Sequence, residues 1–188
     1  QKKLLAEKVA FDKEMVPRLW TGLGVPQETI RAYRRKPLEQ SSHAWLVGVA
    51  DPIRTTTTTT PNDASDGLPP GHIFVTGLLP ALLETGRREV FITRSPCIKR
   101  AAGRLLPTVL HKPEAMLHSH WEWLNALPFG AVIFSTAGEG PPLPERGMSG
   151  DLDGDLYLVC WDAAICESVR PVPLAPPAEQ HIVSSVLL

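Results

Sequence analysis

The sequence predicts a mainly β protein with some α structure, in which a barrel or sandwich follows an N-terminal helical segment. Beyond Pro37, short apolar segments alternate with Pro-Gly, Pro-Pro and Gly-rich turns, which is typical of barrels and sandwiches with short strands. The 19 prolines among 188 residues agree with this class, since proline favours turns and interrupts strands. The predicted strands cover residues 44–50, 72–77, 89–93, 104–110, 131–135 and 156–161.

The region before the strands has the spacing of amphipathic helices. Apolar residues within 2–20 recur at intervals that place them on one helical face. Residues 27–36 predict a second, short helix that ends before Pro37. Weaker helical patterns lie between the predicted strands, at residues 78–83 and 114–127.

These patterns divide the chain into three parts. A helical segment occupies residues 1–40, a β region residues 41–165, and a proline-rich tail residues 166–188. Within the β region, residues 55–67 contain a threonine run and are predicted to form a low-complexity surface loop. Because the chain has no initial methionine and stops abruptly on apolar residues, we expect it to be a fragment of a longer protein.

Overall charge and cysteine usage argue against several classes of protein. The formal net charge of −1 offers no global attraction to a polyanion, so nucleic-acid binding would require a local basic patch. Cys97, Cys160 and Cys166 lack zinc-ribbon or redox spacing, which favours a reduced intracellular compartment, either nucleus or cytoplasm. No apolar run reaches the roughly 20 residues of a membrane span, so a membrane is not an expected partner.

The segment with the clearest chemistry is residues 150–155, hereafter the aspartate loop. Asp151, Asp153 and Asp155 alternate along it, and Gly150 and Gly154 permit backbone conformations that are closed to other residues. Three carboxylates gathered by one tight loop repel each other unless a cation lies among them. Since hard oxygen ligands favour Mg²⁺ or Ca²⁺ over zinc or copper, the loop predicts a site for a hard divalent cation.

Several kinds of site have related patterns. An EF-hand calcium loop starting at Asp151 needs glycine at its sixth position and glutamate at its twelfth, but Leu156 and Asp162 stand there. A magnesium-dependent phosphatase of the haloacid-dehalogenase kind needs an apolar strand running into the first aspartate. Here the apolar strand follows the loop instead. An acidic surface turn without function is the third alternative, because Asp and Gly are common in turns.

Nucleotidyl transfer is the fourth interpretation of the aspartate loop. A polymerase must activate a 3′ hydroxyl and stabilise charge on an α-phosphate and on the departing pyrophosphate. Two Mg²⁺ ions ~4 Å apart perform both tasks. Aspartates suit this role because Mg²⁺ prefers a few carboxylates together with water and substrate phosphates.

A series of motifs along the β region accompanies the loop in a fixed order. They lie at residues 45–51, 68–75, 90–97, 132–135 and 151–162. In this order the chain resembles the cell-encoded RNA-dependent RNA polymerases of RNA silencing. The first motif is similar to that family's Leu-Met-Gly-Val-x-Asp, and the third is similar to its Val-x-Val-Thr-Lys-x-Pro-Cys. The last motif begins with Asp-Leu-Asp-Gly-Asp and ends in Trp-Asp, as the corresponding loop and strand of the family do.

The resemblance implies a fold, an activity and a set of partners. The fold is a double-psi β-barrel of the RNA polymerase catalytic core, and the activity is RNA-directed synthesis of double-stranded RNA for small interfering RNA production. Asp151, Asp153 and Asp155 would be the catalytic residues and would hold Mg²⁺, with Mn²⁺ as an alternative. The implied partners are RNA template and product, ribonucleoside triphosphates and RNA-silencing proteins. This piece by itself is expected to be inactive.

Basic residues inside the resemblance are candidates for contacts with RNA or nucleotide phosphates. They are Arg94, Lys99, Arg100 and Arg104. Arg94 stands where the family usually has lysine, which keeps the charge but changes its geometry. The phosphatase and a catalytically inactive RNA-binding fragment stay open as alternative functions.

Overall fold

The fold is known from a computed structural model. It describes residues 17–35, 42–55, 67–95, 103–138, 142–148, 150, 152 and 154–169. The predictions for residues 2–16, for the threonine run from residue 56 and for the tail from residue 170 lie outside these ranges.

A six-stranded mixed sheet forms the centre of the described structure. Its strands are β1 (His43–Ala50), β2 (Ile73–Val75), β3 (Glu89–Arg94), β4 (Arg104–Pro107), β5 (Ala131–Phe134) and β6 (Leu156–Cys160). The order across the sheet is β2-β5-β1-β6-β3-β4. β1 and β5 pair in parallel, and the other neighbours pair antiparallel. Every predicted strand is confirmed, with bounds that differ by a few residues.

The two outer strands of this sheet approach each other, so the sheet nearly closes into a barrel. Ile73 of β2 forms a parallel bridge with Thr108, directly after β4. The amide of Val109 also donates to the carbonyl oxygen of Ile73 at 2.9 Å. The predicted barrel-like sheet is therefore confirmed, and helices accompany it along much of the described chain.

Alternation along the strands places one set of side chains inside the barrel. All six strands contribute buried apolar residues to a single interior cluster. The strand members of the cluster are Leu46, Ile73, Val75, Val90, Ile92, Leu106, Val132, Phe134, Tyr157 and Val159. Burial of each large side chain contributes roughly 1.5–3 kcal/mol, so this interior is a main source of stability.

The opposite face of the strands packs against helices in two further clusters. In the first, Trp20 lies edge-on to Phe91 with ring centroids 5.1 Å apart. The helical stretch that contains Trp20 therefore packs directly on the barrel. In the second, Trp121 lies edge-on to Phe74 at 5.8 Å.

The described helices are short, and most of them connect strands. Besides a helical stretch at residues 17–22, they are α1 (Gln27–Arg35), α2 (Pro52–Thr55), α3 (Leu79–Thr85), α4 (His118–Ala126), α5 (Leu143–Gly147) and α6 (Ala163–Ser168). The predicted helices near residues 27–36, 78–83 and 114–127 are confirmed. Among the helices described, none is both long and apolar enough to span a bilayer.

Helix α6 crosses the predicted boundary between residues 165 and 166, after which the sequence predicts a proline-rich tail. Asp162 caps this helix by accepting a hydrogen bond from the amide of Ile165 at 3.2 Å. Ile165, Cys166 and Val169 then pack in the same cluster as Trp20. The packed part of the chain thus extends at least to Val169.

Candidate functional site

The aspartate loop lies between α5 and β6, at one end of the barrel. β3 ends at this same end with Arg94, and β4 begins there with Arg104, because both strands run antiparallel to their neighbours. The structure describes Gly150, Leu152, Gly154 and Asp155 of the loop, whereas Asp151 and Asp153 lie outside the described residues. Of the three predicted metal ligands, Asp155 is therefore the one that the structure describes.

Local backbone hydrogen bonds and one apolar side chain fix the position of the loop. The amides of Met148 and Gly150 both donate to the carbonyl oxygen of Pro144, at 2.9 and 3.2 Å. Gly154 has a φ of 121°, a conformation that favours glycine. Between the first two aspartates, Leu152 packs against the interior cluster of the barrel. The loop is thus bonded to helix α5 at its start and packs on the barrel interior through Leu152.

The two ends of the loop meet at Gly150. A Cβ atom on this residue would come within 2.7 Å of Arg94 Cδ, 2.7 Å of the Tyr157 hydroxyl and 3.0 Å of Asp155 Oδ2. Real Cβ atoms essentially never approach as closely as 2.7 Å, so a larger residue here would require the side chains of Arg94 and Tyr157 to shift. Gly150, Asp155, Arg94 and Tyr157 consequently form one compact group.

Asp155 and Arg94 form an ion pair with two contacts. Arg94 Nε lies 2.6 Å from Asp155 Oδ2, and Arg94 Nη2 donates to Asp155 Oδ1 at 3.0 Å. Only the Nη2–Oδ1 contact has hydrogen-bond geometry, and the Nε–Oδ2 contact is a close approach of opposite charges. The side chains of Arg94 and Asp155 are 28% and 17% exposed, so the pair is partly open to solvent.

Tyr157 connects the barrel interior to the loop. Its ring is buried beside Phe134, with centroids 5.0 Å apart, and its hydroxyl reaches Gly150. Gly48 of β1 makes room for this ring, because a Cβ there would lie 2.6 Å from Tyr157 Cδ2. The sequence prediction did not assign a role to Gly48 or Tyr157. The available signal was a glycine inside the apolar strand β1, which often marks a close approach.

The predicted basic residues have different surroundings. Arg94 lies at the loop and is paired with Asp155. Arg104 stands opposite Ile92, on the interior side of β4, and is only 9% exposed. Burial lowers the pKa of its guanidinium. Lys99 and Arg100 lie outside the described residues.

No group of three or more potential metal-ligating side chains occurs among the residues that the structure describes. That set excludes Asp151 and Asp153, so the three-aspartate site stays a prediction. The donor type nevertheless fits the ion, since Asp155 offers carboxylate oxygens at the barrel end and Mg²⁺ prefers such oxygens.

Strand placement decides between the related patterns. The described residues before Asp151 form the helix α5 and a turn, and the strand β6 begins only after Asp155. The phosphatase alternative is therefore wrong, because its strand must run into the first aspartate. The EF-hand alternative also fails, since a strand follows the loop and Asp162 caps a helix.

Comparisons with known proteins identify the family. A family model described as RNA dependent RNA polymerase matches residues 28–185. RNA-dependent RNA polymerase 2 of Arabidopsis thaliana is 32% identical over 91 residues, which are 48% of this chain and 7% of the relative. The RNA dependent RNA polymerase QDE-1 from Thielavia terrestris is 16% identical with a TM-score of 0.43, over 72% of this chain and 13% of that one. Because the family model matches most of its length, the chain belongs to the RNA-dependent RNA polymerase family.

Proposed function

We propose that this chain provides the metal-binding loop of an RNA-dependent RNA polymerase that makes double-stranded RNA for RNA silencing. The observation that carries the proposal is the family match, which extends across the whole aspartate loop. The Arabidopsis relative is named for RNA-dependent RNA polymerase activity. Since the chain spans 7% of that relative, we expect synthesis only from a longer polymerase that contains these residues.

In this proposal Asp151, Asp153 and Asp155 hold two Mg²⁺ ions, or Mn²⁺ in their place. When bound, such ions lower the pKa of the attacking 3′ hydroxyl and stabilise charge on the transferring phosphate and on pyrophosphate. The chain's own contribution is placement. Leu152 anchors the loop on the barrel interior, and Gly150 allows its ends to close around the Asp155 carboxylate.

Arg94, Lys99, Arg100 and Arg104 are the proposed contacts for phosphates of the nucleotide or the RNA. The positions of Arg94 and Arg104 at the loop end of the barrel support this role. The proposed partners are RNA template and product, ribonucleoside triphosphates and RNA-silencing proteins, in the nucleus or cytoplasm.

We also propose that the barrel has the double-psi topology. The six-stranded mixed sheet that nearly closes through Ile73 and Thr108 supports this fold. An experimental structure of the complete polymerase would test it by the path that the chain takes between the strands.

The function is tested by Asp153→Ala in the polymerase that contains this chain. Because a catalytic metal supplies several kcal/mol, RNA-templated synthesis should fall by about 10³-fold or more. Glu167→Gln is the matched control, because Glu167 is an exposed acidic residue that pairs with Arg87 away from the loop. Thermal unfolding should be similar for both variants and the wild type. Synthesis retained by Asp153→Ala would refute the assignment.

A further inference from the structure

We infer that Arg94 is a built-in counter-cation of the aspartate loop, which neutralises Asp155 until a divalent ion binds and displaces it. This inference rests on the proposed function. It adds an exchange: the carboxylate passes from the guanidinium to the metal, and the freed guanidinium becomes available to a nucleotide phosphate. Arg94 is a positioning residue before the exchange and a substrate contact after it.

Arg94 and a bound metal ion would share the same ligand atoms of Asp155. Both oxygens of Asp155 face the guanidinium, at 2.6 and 3.0 Å. These are the same oxygens that a divalent ion at the loop would use. A fixed positive charge beside the ion would also repel it. The Arg94–Asp155 pair as it stands and a metal on Asp155 therefore compete.

The exchange moves side-chain atoms and not the backbone. The sheet fixes the backbone around both residues, since the Ser95 amide donates to the Leu156 carbonyl oxygen at 2.8 Å and the Gly48 amide donates to that of Asp155 at 2.9 Å. The two side chains are partly exposed. Rotation of the Arg94 side chain toward solvent would therefore permit the exchange while the barrel stays intact.

If the Arg94–Asp155 pair were purely structural, removing Arg94 would change the metal affinity in the opposite direction. If Arg94 only closed the loop, its removal would loosen the aspartates and weaken metal binding. If Arg94 competes with the metal, its removal strengthens metal binding. The sign of the change in metal affinity thus separates the two roles.

The experiment measures Mn²⁺ binding to the 188-residue chain by the loss of the free-ion electron paramagnetic resonance signal. We expect Arg94→Gln and Arg94→Met to bind Mn²⁺ about ten-fold more tightly, since each removes a charge next to the site. Arg94→Lys keeps the charge and should stay within about three-fold of the wild type. Arg87→Gln is the matched control, because Arg87 pairs with Glu167 away from the loop.

Equal or weaker Mn²⁺ binding by both charge-removing variants would overturn the inference. A wild-type chain that binds no Mn²⁺, or binds it equally well as Asp153→Ala, would instead overturn the proposed function. The two failures are therefore distinguishable.

A second measurement uses the wild-type chain and does not depend on the folding of any variant. Phenylglyoxal modifies exposed arginines, and mass spectrometry identifies the modified positions. Saturating Mn²⁺ should increase the modification rate of Arg94 several-fold and leave that of Arg87 unchanged. An Arg94 rate that stays constant or falls on metal addition would contradict the exchange.

Discussion

Asp51 and Asp155 both lie at the end of a barrel strand, but their carboxylates have different neighbours. Asp51 follows β1 and is fully buried, and its oxygens accept hydrogen bonds from the amides of Ile53 at 3.1 Å and Leu68 at 2.6 Å. Asp155 precedes β6, is partly exposed, and faces the guanidinium of Arg94. The donors to Asp51 named here belong to the backbone, whereas Asp155 faces a long side chain.

This difference separates a structural carboxylate from an exchangeable one. The amides around Asp51 cannot leave without unfolding the segments that carry them, so Asp51 holds the turn after β1 to the segment before β2. In the proposed exchange, Arg94 rotates away from Asp155 while the sheet stays in place. An acidic residue beside an apolar strand is consistent with either role, and the identity of its donors distinguishes them.

The largest expected effect is on stability, from Asp51→Ala. Removing this carboxylate leaves buried amides without their acceptor, and we expect the free energy of unfolding to fall by about 3 kcal/mol. Urea denaturation followed by circular dichroism measures it. If Asp51→Ala were as stable as the wild type, the structural role of this residue would have to be abandoned.

A somewhat smaller effect is expected from Gly48→Ala, on the strand that leads to Asp51. The new methyl group would overlap the ring of Tyr157, and such overpacking should lower the free energy of unfolding by about 2 kcal/mol. The double variant Gly48→Ala/Tyr157→Leu should lose less than the sum of the two single losses, because the smaller side chain relieves the overlap. Additive losses in urea denaturation would show that Tyr157 is not what the methyl group meets.

The smallest effect on stability is expected from Asp155→Ala. A partly exposed ion pair contributes little after solvent screening, so the free energy of unfolding should fall by less than about 1 kcal/mol. The same variant should lose most of the increase in melting temperature that saturating Mn²⁺ gives the wild type. Differential scanning fluorimetry with Mn²⁺ and with EDTA measures both. A Mn²⁺-induced increase equal to that of the wild type would exclude Asp155 as a metal ligand.

The sequence was sufficient to predict the strands and the position of the loop. Strands such as β1 and β6 have apolar segments bounded by turn residues, and this pattern is local. The order of motifs likewise predicted the family. Helix α6 was missed because its burial depends on contacts of Ile165 and Cys166 with distant aromatic residues, which leave no periodic pattern in a six-residue helix.

The chemistry around Asp155 required the structure. Arg94 and Asp155 are 61 positions apart, and charge alone did not indicate that they pair. The approach of Gly48 to Tyr157 is also a contact between distant strands. Such pairings arise from strand register, which the sequence constrains through hydrophobic alternation but does not state residue by residue.

The bridge between Ile73 and Thr108 has a consequence for how the chain behaves at high concentration. Outer strands usually expose unpaired amides and carbonyls that recruit further polypeptides and seed aggregates. Here the carbonyl oxygen of Ile73 already accepts the amide of Val109 within the same molecule. At this position β2 has its backbone acceptor occupied, so a foreign strand would have to break an internal hydrogen bond before it could add to the sheet.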